Sequence, residues 1–154
     1  MIAIDPGAAG GIVAGSSKLN LGPTACGMPG TDRDIAEKLF PPKDWGWDEK
    51  VAYLEDLVKF AGRNMPSSSM ATYASNWGLI KGILTAYDYR IVIVPPKKWQ
   101  KALGLGGSDA HATRSGWKNH LKQRAQQLFP QVKVTLSTAD ALLIYEAARQ
   151  GHLG

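Results

Sequence analysis

Cysteine is almost missing from this 154-residue chain: Cys26 stands alone. One thiol makes no internal disulfide and no thiolate zinc cluster, and it suits a reducing, cytoplasmic setting. The three histidines, His111, His120 and His152, lack metal-ligand spacing and default to the surface. No stretch reaches the roughly 18–20 consecutive apolar residues of a membrane span, and no charged-then-apolar leader is visible, so no membrane partner is expected. Internal repeats, low-complexity tracts and linkers are also missing, which leaves one domain over residues 1–154. What is present is ample for a core: 44% of residues are hydrophobic and 20% charged, so wholesale disorder is excluded.

Acids are the scarce charge, 13 against 18 Lys and Arg, and the imbalance is not spread evenly. Residues 1–77 hold seven basic and nine acidic residues; residues 78–154 hold eleven and four. From Lys97 to Lys133 there are eight basic residues and one acid, Asp109. A sequence pI near 9.4 with such clustering points to a polyanionic partner. Solubility of a small domain is the ordinary alternative.

Apolar runs at 1–4 and 12–14 flank the Gly-rich segment Asp5–Gly11, the pattern of a hairpin with a long loop. Residues 19–28 predict a third strand of the same meander, and Ile35, Ala36, Leu39 and Phe40 predict a short helix over 32–40, capped by Thr31 or Asp32. Val51–Leu54 predicts a strand that ends in Glu55 and Asp56. Residues 62–69 read as a polar loop, and 70–87 as a helix in which Gly78 and Gly82 share a face that admits close approach. Ile91-Val92-Ile93-Val94 is a buried-strand pattern stopped by Pro95-Pro96. Helices follow over 97–103, 112–129 and 138–149, with a short strand or turn at 132–134. A three-strand antiparallel meander followed by strands alternating with helices makes a mixed α/β sheet with helices on its faces.

Three acids sit at telling places. Asp5 closes the first strand at a Pro-Gly turn, Glu55 closes a later strand, and Asp140 lies among Ala139, Ala141, Leu142 and Leu143 at the start of the last helix. Each has an ordinary explanation taken alone: a turn residue, a solvated strand edge, and an acid favourable to the helix dipole. Acids inside apolar runs are nevertheless costly to bury unless paired or bound to a cation. Three at element ends can converge, and convergent carboxylates are held together by hard divalent ions such as Mg²⁺ or Mn²⁺. Beside a basic surface, the chemistry implied is two-metal phosphodiester cleavage.

The motifs that carry these acids form a recognisable series. It comprises Ile4-Asp5-Pro6-Gly7 with the small residues to Gly11, Tyr53-Leu54-Glu55, Pro96-Lys97-Lys98-Trp99-Gln100-Lys101-Ala102-Leu103-Gly104, Leu128-Phe129-Pro130, and Ala139-Asp140-Ala141-Leu142-Leu143-Ile144. In order and spacing, from Met1 to about Gln150, the series resembles the RuvC family of Holliday junction resolvases. It is most similar to the small branch found in bacteria, phages and chloroplasts.

The resemblance implies an RNase H-like fold with a five-stranded sheet, a homodimer, and symmetric nicking of branched DNA (a four-way junction) that leaves 5′-phosphate and 3′-hydroxyl ends. It also implies two Mg²⁺ or Mn²⁺ ions, with Asp5 bridging them and Glu55 and Asp140 each holding one side. Family members commonly carry a further acid or a histidine three or four residues before the helix acid; this chain has Leu136 and Ser137 there. Ser137 can reach a metal-bound water but brings no charge. A weakly held second ion, a preference for Mn²⁺, or an inactivating substitution all fit that departure.

Lys97, Lys98 and Lys101 surround Trp99 and suit phosphate neutralisation, whereas Trp99 and Leu103 at i and i+4 suit core packing. Lys118, Lys122 and Arg124 correspond to the basic helix of the relatives, and Lys118 is the candidate for a lysine close to the scissile phosphate. The segment 65–77 corresponds to the part that enters the junction centre in relatives, where Tyr73, Asn76 and Trp77 would meet unpaired bases; core or dimer packing is their alternative. Trp45 and Trp47 have no assigned role. A junction-binding protein of the same fold with weak or lost cleavage is the competing function. A sugar kinase or ATPase also starts with a strand and an Asp-Gly turn, but needs two lobes and a second phosphate loop.

Overall fold

The computed structural model describes residues 1–16, 22–46, 49–56 and 67–154. Trp47 and the beginning of the 65–77 segment lie outside them. In chain order the elements are β1 (Ile2–Asp5), β2 (Gly11–Ala14), β3 (Thr24–Gly27), α1 (Asp32–Leu39), β4 (Val51–Glu55), α2 (Ser67–Ala86), β5 (Arg90–Val94), α3 (Pro96–Ala102), α4 (Arg114–Leu128) and α5 (Ala139–Arg149). The sheet runs β3-β2-β1-β4-β5. β1 is antiparallel to β2, and β2 to β3, whereas β1–β4 and β4–β5 are parallel. This is the mixed five-stranded sheet that the strand and helix order implies.

Strand alternation sorts the core into two clusters. Ile2, Ile4, Ala52 and Leu54 pack with Ile35 and Leu39 of α1 and Ile80 and Leu84 of α2. Ala3, Val51 and Tyr53 face the other way, onto Trp99, Trp117, Leu121 and the apolar residues of α5. Successive side chains of a strand point to opposite faces, so Asp5 follows Ala3, and Glu55 follows Val51 and Tyr53, to the α5 side. Ile4 pairs with Leu54, which sets Asp5 and Glu55 at neighbouring positions where two parallel strands end. Ten consecutive residues of α5, Ala139 to Ala148, are buried, so the helix is embedded rather than laid on the surface.

Several local expectations need correction. The serines at 67–69, expected in a loop, form the first turn of a twenty-residue α2; polar hydroxyls are tolerated there because the first N–H groups of a helix lack partners within it. β5 is an edge strand, not a buried one: only Val94 is buried, and Ile93 is 39% exposed. The apolar run marks the sheet side that pairs with β4, with helices covering it only in part. Residues 132–134 are irregular rather than a strand: the turn precedes them, closed by Val132 N–H on the Phe129 carbonyl, and the Gln126 side chain donates to the carbonyls of Phe129 and Val132 and accepts from Val134 N–H. Among the described residues nothing lies within 4 Å of a Cβ placed on Gly78 or Gly82. His111 and His120 are half-buried, their rings packed together at 4.8 Å and against Trp117. Among the described residues no helix is long and apolar enough to cross a membrane.

Candidate metal centre and basic surface

Asp5 is positioned by the turn that follows it. Gly7 N–H donates to its Oδ1 at 3.1 Å, and Gly10 N–H closes the turn on the Gly7 carbonyl at 2.8 Å. A Cβ on Gly10 would stand 2.7 Å from the Asp5 carboxyl carbon, so only glycine lets the loop fold over this side chain. At Gly11 a Cβ would stand 2.6 Å from the Ser137 carbonyl oxygen, which shows how closely the segment leading into α5 crosses β2. Ser137 is half-buried against Gly11 and Gly27.

Two indoles hold Glu55. Trp99 Nε1 donates to its Oε1 at 3.1 Å, and Trp77 Nε1 donates to its main-chain carbonyl at 3.0 Å. Glu55 is 6% exposed and Trp99 fully buried, so the charged oxygen and its donor meet away from water. Asp140, 5% exposed, pairs through Oδ2 with Lys118 Nζ of α4. Its other oxygen, Oδ1, is buried with no hydrogen-bond partner.

Asp5 and Glu55 both feel the charge of Asp140. Burial, then the charge of Asp140, pushes the Asp5 carboxyl up to about 6, against the pull of Gly7 N–H and Lys118. Burial, then the charges of Asp5 and Asp140, pushes Glu55 well above the usual range, with Trp99 and Lys118 opposing. Burial favours the neutral form of Lys118, but Asp140, Asp5 and Glu55 together hold its pKa above the ordinary value. The Tyr73 hydroxyl, from α2, is raised by burial and by the same three acids with Asp56. The cluster is therefore an anionic neighbourhood with one lysine inside it.

Among the described residues no three or more Asp, Glu, His or Cys side chains are gathered tightly enough to hold an ion as they stand. The acids nevertheless suit one. An orphaned buried oxygen on Asp140 costs free energy that a cation would recover, and the donors are carboxylate oxygens with no sulfur or imidazole among them, the set that hard divalent ions prefer. Asp5, Glu55 and Asp140 are the residues that would hold Mg²⁺ or Mn²⁺.

The other candidate residues fall into two groups. Lys97 and Lys101 are exposed on α3, whereas Lys98, also exposed, donates to the Leu153 carbonyl at 3.2 Å. Lys122 and Arg124 are half-buried on α4, and Arg124 donates to Gln127 Oε1. On α2, Asn76 Nδ2 donates to the Pro6 carbonyl at 3.2 Å, and the Trp77 ring carries Lys81 Nζ 5.0 Å from its centroid. Asn76 and Trp77 thus tie α2 to the ends of both acid-bearing strands. Sequence reasoning missed these ties and the Trp99 bond. A buried indole N–H needs an acceptor, and that rule applied to Trp99 was the available signal.

The RuvC structure of Thermus thermophilus matches this chain with a TM-score of 0.57, over 99% of this chain and 98% of that one, at 17% identity. The chain has a RuvC-like fold. No protein-family model and no curated protein matches the sequence. At this identity the likeness to RuvC is one of architecture, and the chemistry has to be argued from the residues.

Proposed function

We propose that this protein is a divalent-metal-dependent endonuclease that resolves four-way DNA junctions. What supports the reading is that the charge of buried Asp140 on α5, whose Oδ1 has no partner, raises both Asp5 at the end of β1 and Glu55 at the end of β4, on a RuvC-like fold. Two ions bound there would supply an activated water and charge neutralisation at the leaving oxygen. Asp5, Glu55 and Asp140 hold the ions, Gly7 N–H and Trp99 orient two of those carboxylates, and Lys118 Nζ keeps its proton beside them as a positive contact for the scissile phosphate. Lys97, Lys98 and Lys101 on α3 and Lys122 and Arg124 on α4 bind the DNA backbone, while Tyr73, Asn76 and Trp77 sit at the α2 end nearest the junction centre. Nicking leaves 5′-phosphate and 3′-hydroxyl ends. Symmetric cuts need two sites, so the active form is a homodimer.

Ser137, at the position of a further acid, favours a second reading in which the protein binds junctions and cuts them weakly or not at all. Incubation with an end-labelled four-way junction in Mg²⁺ and, separately, Mn²⁺ distinguishes the two. Paired nicks at symmetric positions support the nuclease; a junction-specific shift with no nicks in either ion supports the binder.

A further inference from the structure

We propose that Trp99 is a positioning residue for Glu55: its indole N–H pins one carboxylate oxygen, so that Glu55 offers a bound ion its other oxygen in a fixed direction. The inference rests on the metal-centre reading above and goes beyond it to a residue from α3 that touches neither ion nor DNA. The donor–acceptor distance is 3.1 Å, and Trp99 is fully buried.

The pattern around Glu55 is more specific than packing requires. An aliphatic side chain fills core volume without a polar atom, whereas a buried indole must find an acceptor. The acceptor here is a buried carboxylate facing two other acids, 44 residues away in the chain. Trp77 independently fixes the main chain of the same residue through its carbonyl. Backbone and side chain of Glu55 are thus held by separate indoles from α2 and α3. Asp5 is held through Oδ1 by Gly7 N–H and Asp140 through Oδ2 by Lys118, so each acid has one oxygen taken by a donor of a different kind. Donors behind the ligands of a metal site fix their orientation, and their loss typically costs about 10–100-fold in metal affinity.

The test uses the full chain without DNA, titrated calorimetrically with Mn²⁺. Trp99 is replaced by β-(3-benzothienyl)alanine, which keeps the ring shape and puts sulfur where the N–H was, and separately by Phe. Trp45→Phe is the control that loses an indole packed against the other core cluster, on the opposite face of the sheet from Glu55. Melting temperatures in EDTA report folding. The proposal expects the benzothienyl variant to melt within a few degrees of the parent yet bind Mn²⁺ about tenfold or more weakly. Trp99→Phe should be at least as weak, and Trp45→Phe should change affinity less than threefold. Parental affinity in the folded benzothienyl variant overturns the proposal, as does an equal loss in Trp45→Phe. A parent chain that binds no Mn²⁺ instead overturns the metal-centre reading, and the positioning role falls with it.

Discussion

The chain buries acids in two different ways. Glu146, on the last turns of α5, is 3% exposed and meets Arg149 through both oxygens at 2.8 Å, with Gln150 adding a third donor. The Arg149 hydrogen bonds hold its carboxyl below the usual range. Asp140 lies less than two turns away on the same helix, equally buried, with one oxygen on Lys118 and the other orphaned. Around it, burial and mutual repulsion push Asp5 and Glu55 upward. A buried charge satisfied on every side serves structure; a cluster left short of positive charge is poised for an added cation. The same helix carries both.

The largest effect should follow removal of a carboxylate from the unsatisfied cluster. Asp5→Asn, Glu55→Gln and Asp140→Asn should each lower junction nicking by more than the roughly 100-fold that loss of an outer partner costs, with junction affinity by gel shift unchanged. A variant that nicks at the parental rate removes that residue from the site.

Stability should then separate the two kinds of acid. Asp5 titrates in the fold at about 6 against an ordinary 3.8. The folded chain therefore holds a proton that the unfolded chain releases, and metal-free stability falls as pH climbs through that window, by on the order of 3 kcal/mol. Urea denaturation in EDTA at pH 4 and pH 7 should show the loss, and Asp5→Asn should shrink it to the part that Glu55 contributes; a stability that rises over this range contradicts the account. Glu146 is the opposite case, because its lowered pKa stabilises at neutral pH and that contribution is lost on acidification. Glu146→Gln should destabilise by about 1–2 kcal/mol, since water screens an ion pair whose Arg149 side is more than half exposed. If Glu146→Gln stabilised and Asp5→Asn did not, the contrast would be reversed. The smallest effect expected is a severalfold gain in Mg²⁺-dependent nicking for Ser137→Asp; an unchanged rate would mean another group already serves there.

The backbone of this comparison could be read from residue spacing. Alternation along Ile2–Asp5 and Val51–Glu55 sends both acids to one sheet face, and the apolar neighbours of Asp140 announce its burial. What spacing did not reveal were contacts that depend on where distant elements stop. Ser67–Ser69 join α2 because a helix start accepts polar side chains, a choice that composition alone does not decide. β5 reads as buried from its Ile and Val run although it lies at the edge, since parallel pairing to β4 already favours such residues. Nothing in the spacing of Asn76 and Trp77 announces that they also bond the Pro6 and Glu55 carbonyls. Pairwise hydrogen bonds between elements have no period to detect.

The most direct measurement is anomalous diffraction from a crystal of the chain soaked in Mn²⁺. The account predicts a manganese peak bounded by carboxylate oxygens of Asp5, Glu55 and Asp140, with Asp140 Oδ1 among them. No peak there at saturating Mn²⁺, or one elsewhere on the surface, would contradict it.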